Sequence, residues 1–318
     1  MNALLAPRFI DLAPVLDNVR DAAHDGLSRT PKSLPPWLFY DERGSRLFES
    51  ITQQPEYYPT RCELSILRQH GRVIAEVLGE NCCLIELGSG SNSKIRRLLR
   101  VLRQPEGYVA IDVSASQLRE AVTELSRDYP GIPMTGIVAD FSQVGLPAGT
   151  GEGRRVAFFP GSTIGNMDPA DALEFLRAWH GHLGGGGMLV GVDLVKDPAV
   201  LHAAYNDSAG VTAAFNRNVL TRLNRELGAR FEPQRFAHRA FWAARRSRVE
   251  MHLQSAVAQN VRCGERSFAF ESGETIHTEN SYKYTLEDFA SMARAAGFTP
   301  GDVWMDERQW FSLHYIAA

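Results

Sequence analysis

Four apolar runs in this 318-residue chain end in residues that could do chemistry. Leu84-Ile85-Glu86-Leu87 breaks into Gly88-Ser89-Gly90, and Lys94 follows after Ser91-Asn92-Ser93. A short apolar run closed by glycine predicts a buried strand. Glycine has no Cβ and tolerates positive φ, so the backbone there can come close to a ligand. The spacing of Lys94-Ile95-Arg96-Arg97-Leu98-Leu99-Arg100 predicts a helix, whose N-terminus favours a carboxylate or phosphate. Tyr108-Val109-Ala110-Ile111 then ends in Asp112, 24 positions after Gly88. That is close to the ~20-residue spacing at which an acid meets ribose hydroxyls. Ile137-Val138-Ala139 ends in Asp140-Phe141, and Val156-Ala157-Phe158-Phe159 runs into Pro160-Gly161-Ser162-Thr163-Ile164-Gly165-Asn166.

Ligands of open α/β sheets sit beyond the carboxyl ends of the strands, so these endings are expected to converge. A ribose acid followed by a carboxylate–aromatic pair suits a nucleoside, because adenine N6 donates while the ring stacks. Ser93 stands where G-x-G-x-x-G would place its third glycine, and S-adenosylmethionine (SAM) fits better than NAD. A glycine turn that only packs, and a module that binds a nucleoside without catalysis, stay open on these residues alone.

The elements around these residues follow from the rest of the chain. Its 34 basic and 37 acidic residues leave a net charge of −3 with no block of one sign, so no nucleic-acid footprint is expected. Cys62, Cys82, Cys83 and Cys263 show no C-x-x-C spacing, which favours a reduced, cytoplasmic setting. No apolar run approaches the ~20 residues of a membrane span, and Met1 to Arg8 lacks a signal pattern. The nine histidines show neither H-E-x-x-H nor H-x₃-H, so no metal is expected.

From Leu84 to Leu194 strands and helices alternate at βα spacing, which predicts a parallel sheet. Gly184 to Gly187 precedes a strand and lacks G-K-[ST], so it reads as a turn and not a phosphate loop. Val15-Leu16 and Val19 give the first 30 residues an amphipathic face, and Pro31 to Pro36 is extended. Glu63 to Leu78 and 199–230 read as helical, and Trp242 to Gln259 and Phe268 to Tyr284 as antiparallel strands. The polar run Ala243 to Arg248 reads as a solvated edge. Thr285 with Asp288 caps a further helix, and two closing strands, around Val303 and Phe311, complete a methyltransferase-type sheet. The expected architecture is α/β, a Rossmann-like seven-stranded methyltransferase sheet with a second α+β substrate-binding domain. Residues 61–196 with 285–318 form the cofactor domain, and 1–60 with 197–284 the substrate-binding lid.

Several motifs together carry a resemblance. They are Pro31-Lys32-Ser33-Leu34-Pro35, Phe39-Tyr40-Asp41, Pro55-Glu56-Tyr57-Tyr58-Pro59-Thr60-Arg61 and Leu87-Gly88-Ser89-Gly90. With them go Phe159 to Asn166, Ala209-Gly210-Val211-Thr212, Phe215-Asn216-Arg217-Asn218 and Glu279-Asn280-Ser281-Tyr282-Lys283. From about residue 31 to its end the chain resembles the histidine-specific Nα-methyltransferases, which make the histidine betaine hercynine in the ergothioneine pathway. The resemblance implies a SAM-dependent enzyme that methylates the α-amine of L-histidine up to three times; separately, a monomer with no nucleic-acid or membrane partner is expected. The resemblance places cofactor contacts on Gly88, Lys94, Asp112, Asp140 and Phe141, and amino-acid contacts on Tyr58, Asn166, Tyr205, Glu279 and Ser281, with Tyr58 and Asn166 as the catalytic pair.

Each assignment has a chemical reason. Lys94 offers a point charge to the methionine carboxylate, and Asp112 can accept from both ribose hydroxyls. Asn166 can bond an amine and a carboxylate together. Tyr58 and Tyr205 offer hydroxyls, and their rings tolerate a growing ammonium. Glu279 and Ser281, two apart, share one face of a strand and suit an imidazole with a donor and an acceptor nitrogen. Met251 would wall that ring, and Tyr57 competes with Tyr58 for the inward position. Methylation of another amino acid, such as tryptophan, and an NAD-dependent oxidoreductase are the alternative readings.

Overall fold

The computed structural model describes residues 5–12, 19–90, 92–142, 145–147, 149–151 and 153–318. Residues 1–4, Val15, Leu16 and Ser91, named above, lie outside them. In chain order the first elements are β1 (Arg8–Asp11), α1 (Val19–Ser28), β2 (Lys32–Ser33), α2 (Glu42–Thr52) and α3 (Pro59–Leu78). Next come β3 (Cys82–Leu87), α4 (Asn92–Leu99), β4 (Gly107–Asp112), α5 (Ala115–Asp128), β5 (Met134–Val138) and β6 (Arg154–Phe159). They are followed by α6 (Pro169–Leu183), β7 (Gly187–Asp193), α7 (Pro198–Tyr205), α8 (Val211–Leu227), β8 (Phe236–Ala243) and β9 (Arg248–Ser255). The chain closes with β10 (Gln259–Cys263), β11 (Arg266–Phe270), β12 (Thr275–Tyr282), α9 (Leu286–Ala295), β13 (Thr299–Met305) and β14 (Phe311–Ala317).

The chain divides into two compact units. The first is Met1–Pro14, Pro59–Val195 and Lys283–Ala318, and the second is Val15–Tyr58 with Lys196–Tyr282. The first unit is built on a sheet of order β1-β5-β4-β3-β6-β7-β14-β13. β3 and β7 are buried along their whole length, which is why, Glu86 apart, they read as apolar runs in the sequence. Strands β3 to β7 are parallel, and β14 runs antiparallel to both β7 and β13. The strand order reverses between β3 and β6, and a crevice at such a switch point is where an open α/β sheet binds its ligand. α3 buries Cys62, Glu63, Ile66, Leu67, Ile74, Ala75 and Leu78 at helical spacing. Each large aliphatic among them stabilises the unit by about 1.5–3 kcal/mol.

Two expectations need correction here. The sheet has eight strands and not seven, because Arg8–Asp11 pairs in parallel with Thr135–Val138 of β5. This also moves the N-terminal strand out of the second unit, where the sequence reading had put all of 1–60. In addition α3 begins at Pro59, four residues before Glu63, since proline is tolerated in a first helical turn. The Thr285–Asp288 capping box is present as read: Asp288 N–H donates to Thr285 Oγ1 at 3.1 Å, and Thr285 N–H to Asp288 Oδ2 at 3.2 Å.

The second unit carries a sheet of order β2-β12-β9-β8, with β10 and β11 as a separate antiparallel ribbon. The helical stretch 199–230 is two helices, α7 and α8, and α8 starts after Gly210 in the left-handed region (φ 71°). The polar run Ala243–Arg248 leaves the edge strand β8 and is solvated only over 244–246. Ala244–Arg246 is a 3₁₀ turn that closes the β8–β9 hairpin, and Arg248 is buried on the interior strand β9. Its guanidinium is neutralised there by Glu250, with Nε and Nη2 at 2.8 and 2.6 Å from Oε1.

Candidate active site

Gly88 follows β3 with φ +79°, and its N–H donates to Ile111 O at 2.9 Å, tying the turn to β4. A Cβ at Gly88 would stand 3.6 Å from Phe141 Cε1, whereas one at Gly90 would meet nothing within 4 Å. Ser89 between them is 3% exposed, and its Oγ has no hydrogen-bond partner. A buried orphan hydroxyl beside an open glycine is a place for a polar ligand atom. The donor set therefore fits a nucleoside cofactor with a charged tail.

The remaining residues of this unit lie along the same edge, because β3, β4, β5 and β6 are adjacent and parallel. Asp112 is the last residue of β4, and its Oδ1 accepts from Ser114 N–H at 2.8 Å. Burial, opposed by that bond, pushes its carboxyl up to about 6. Asp140 Oδ1 accepts from Ser142 N and Oγ at 2.9 and 2.7 Å, leaving Phe141 to pack edge-on against Phe159 at 5.6 Å. Trp179 Nε1 donates to Phe141 O at 3.1 Å and fixes the aromatic after β5. Past β6 the chain turns through Gly161 (φ +75°) and Ser162 (φ +57°) into the 3₁₀ turn Thr163–Asn166. Ser162 Oγ accepts from Asp193 N–H at 2.9 Å, so β7 holds the turn that presents half-buried Asn166.

Lys94 is not an isolated point charge. Its Nζ lies 2.6 Å from Glu63 Oε2, and the Glu63 side chain is fully buried. Glu63 also accepts from Gly161 N–H at 3.1 and 3.0 Å. A Cβ on Gly191 would stand 2.5 Å from Glu63 Oε1, so the carboxylate occupies room that only glycine leaves. Sequence reading missed Glu63, because a single acid on the buried face of an amphipathic helix (between Cys62 and Ile66) looks like any other first-turn residue. Glu86 was also missed. It is wholly buried in β3, accepts from Tyr108 Oη at 2.5 Å, and desolvation pushes its carboxyl up to about 8.

The second unit holds the other residues. The β9–β12 ladder pairs His277 with His252 but Glu279 with Met251, so a bulge at Thr278 intervenes. Thr278 Oγ1 donates to Asn216 Oδ1 at 2.8 Å and to Met251 O at 3.0 Å, which holds the bulge. Beyond it Glu279 and Ser281 share one buried face of β12 with Met251 of β9. Tyr205 Oη donates to Ser281 Oγ at 2.6 Å, so the helix α7 tyrosine and the strand serine form one group. Tyr58 is 2% exposed; its Oη accepts from Lys196 Nζ at 2.8 Å, and the same ammonium lies 4.5 Å from the ring centroid. Tyr57 instead packs edge-on against Phe48 at 6.3 Å. Lys196 entered the sequence reading only as the boundary residue of the stretch 61–196. Glu250, His252 and His277 also come together, on the opposite face of β9 and β12, from positions with no metal-type spacing.

The reversed strand order, the glycine turn, Asp112 at the end of β4 and Asp140 just past β5 make a Rossmann-like site for a nucleoside cofactor, and the family match gives its class as a SAM-dependent methyltransferase. The family model of SAM-dependent, histidine-specific methyltransferases matches residues 19–318. The chain is 42% identical over 307 residues to the histidine N-alpha-methyltransferase of Mycobacterium tuberculosis, covering 94% of each protein. It is 43% identical over 294 residues to the enzyme of that name from Mycolicibacterium smegmatis, covering 91% of each. Against ergothioneine biosynthesis protein 1 of Neurospora crassa it is 29% identical over 309 residues, 90% of this chain and 33% of that protein. The chain belongs to the histidine-specific SAM-dependent methyltransferase family.

Proposed function

We propose that this enzyme methylates the α-amine of L-histidine three times to the trimethyl betaine, as a step in ergothioneine biosynthesis. The observation that carries the reading is the bulge at Thr278, which sets Glu279 and Ser281 on one buried face with the Tyr205 hydroxyl on Ser281. A carboxylate accepts from one imidazole nitrogen, and a hydroxyl already held by Tyr205 serves the other. A tryptophan ring has one donor and no acceptor, so it would leave part of this group unpaired.

When bound, SAM supplies an electrophilic methyl group. Gly88 and Ser89 would admit its tail, Lys94 would meet the carboxylate, Asp112 would take the ribose, and Asp140 with Phe141 would take adenine. The chain's part in the transfer is to position an amine whose lone pair is exposed. The amine must be neutral before each transfer, and solvent can take its proton in a prior equilibrium without a dedicated base. Tyr58 and Asn166 orient the amine, and an aromatic face such as that of Tyr58 tolerates the quaternary product.

The first unit is thus the cofactor domain and the second the substrate domain. We also infer a cytoplasmic monomer that acts on a small molecule and binds neither nucleic acid nor membrane. The four buried cysteines, none in a disulfide, support a reducing compartment. Among the described residues no helix is long and apolar enough to cross a membrane. The test is incubation with SAM and an equimolar mixture of the twenty amino acids. Mass spectrometry should show trimethylhistidine alone, and methylation of another amino acid at a comparable rate overturns the substrate assignment.

A further inference from the structure

We propose that Glu250, His252 and His277 form a binding site for a divalent ion of the zinc class, on the face of β9 and β12 opposite Glu279 and Ser281. One ligand-type atom from each of the three lies within 4.8 Å of the others. Glu250 and His252 are two apart on β9, and His277 is the direct partner of His252 across the ladder, so the backbone register brings them together. The carboxylate is 11% exposed and the His252 ring 14%.

Hydrogen bonds fix the rings for coordination. His277 Nε2 lies 2.8 Å from Asn280 Oδ1, and His252 Nε2 lies 3.0 Å from Glu250 Oε2. Both partners are acceptors, so each ring carries its proton on Nε2 and keeps its lone pair on Nδ1. His252 Nδ1 is buried and has no hydrogen-bond partner. His252 can therefore offer Nδ1 as it stands, with Glu250 orienting the ring, or Nε2 in the other tautomer with Glu250 as a direct ligand. Two imidazoles and a carboxylate suit zinc, cobalt or nickel and not magnesium or calcium, and leave a coordination position open. The three residues line a depression of about 470 Å³ whose rim also carries Arg29, Lys32, Arg246 and Arg248. Glu274 neutralises Lys32, while Glu250 meets two guanidinium groups, Arg248 at 2.6 Å and Arg246 at 3.5 Å. The surplus positive charge opposes a dication and favours an anion as the exchangeable fourth ligand.

The ion would tie β9 to β12 at the last regular pair before the bulge at Thr278. It would thereby hold the register that decides which face Glu279 takes.

The test is titration of the full chain, stripped with a chelator, with Co²⁺. The expected result is a visible d–d band of four-coordinate type that saturates at one equivalent and is displaced by Zn²⁺. Zn²⁺ should also raise Tm. Asn280→Ala, which removes the acceptor that orients His277, should weaken binding about 10- to 100-fold. The double variant His252→Gln/His277→Gln should lose both the band and the Zn²⁺-dependent rise in Tm. Far-UV circular dichroism in chelator shows that it folds, and should it not fold, the Asn280→Ala titration decides. A wild type with no one-equivalent band, a band that survives in a folded double variant, or Asn280→Ala binding as the wild type overturns the site.

Discussion

Replacing Glu63 by Gln separates what holds the first unit together from what binds the cofactor. The Glu63 side chain is wholly buried, and Lys94 keeps 16% exposure. Gln keeps the shape and one acceptor for Gly161 N–H, but withdraws the charge from Lys94. Breaking a buried pair by removing one partner costs about 3–5 kcal/mol. Lys94 can still reach water, so the lower end, about 3 kcal/mol, is expected. For a unit of about 190 residues that lowers Tm by about 8 °C. Cofactor affinity should behave differently. With its protein carboxylate gone, the Lys94 ammonium has the methionine carboxylate as its anionic partner, so SAM should bind as tightly as before or more so. Lys94→Met should instead weaken SAM about tenfold or more, the loss of one charge-assisted bond of about 1.5–3 kcal/mol. Calorimetry of the apo-enzyme and titration with SAM at a temperature where each variant is folded give both numbers. An unchanged Tm for Glu63→Gln, or SAM binding that falls with it as far as in Lys94→Met, refutes the separation.

Three further outcomes follow from individual groups. Asp112, pushed up to about 6 by burial, accepts from two ribose hydroxyls only when ionised, so SAM affinity should be flat above about pH 7. It should fall by up to about tenfold per unit below pH 6, and Asp112→Asn should bind weakly with no such slope in a titration series. Glu86, pushed up to about 8 from 4.5, contributes stability that is full below about pH 4.5 and is lost as pH rises through 8. Denaturant melts should show the wild type losing ground to Glu86→Gln by about 1 kcal/mol per pH unit across that window. Tyr58→Phe removes a hydroxyl that histidine and its monomethyl form can use and a trimethylated amine cannot. The first transfer should slow about fivefold, for a bond of about 1 kcal/mol, and the last should change least. Product proportions by mass spectrometry, if unaltered, remove that hydroxyl from the account.

The parallel sheet was legible because β3, β4 and β7 are buried on both sides, so the sequence shows apolar runs, interrupted only by Glu86 in β3, that end in glycine or an acid. The cap of α9 was legible because Thr285 and Asp288 have one local way to satisfy the helix start. β1 was not: four residues carrying Phe9 and Ile10 make a strand only because the edge of β5 is there to pair with. Arg248 was taken for a solvated residue because its partner, Glu250, becomes adjacent only through the strand. The bulge at Thr278 rests on Asn216 of α8, 62 residues away, and nothing local announces it. The zinc-type cluster was invisible for the same reason, since a ladder and not a helical spacing brings His277 to His252. The Glu-x-His of 250 and 252, two positions apart on one strand face, was the signal that could have raised it.

The central claim is that Glu279 chooses the ring of the substrate, and kcat/KM for histidine in Glu279→Ala tests it most directly, with the Kd for SAM measured on the same protein. Removing a charged acceptor from a donor in a buried subsite should lower kcat/KM about a hundredfold, a loss of about 3 kcal/mol, with SAM affinity unchanged. Histidine kinetics that survive the substitution contradict the assignment of the imidazole to that face of β12.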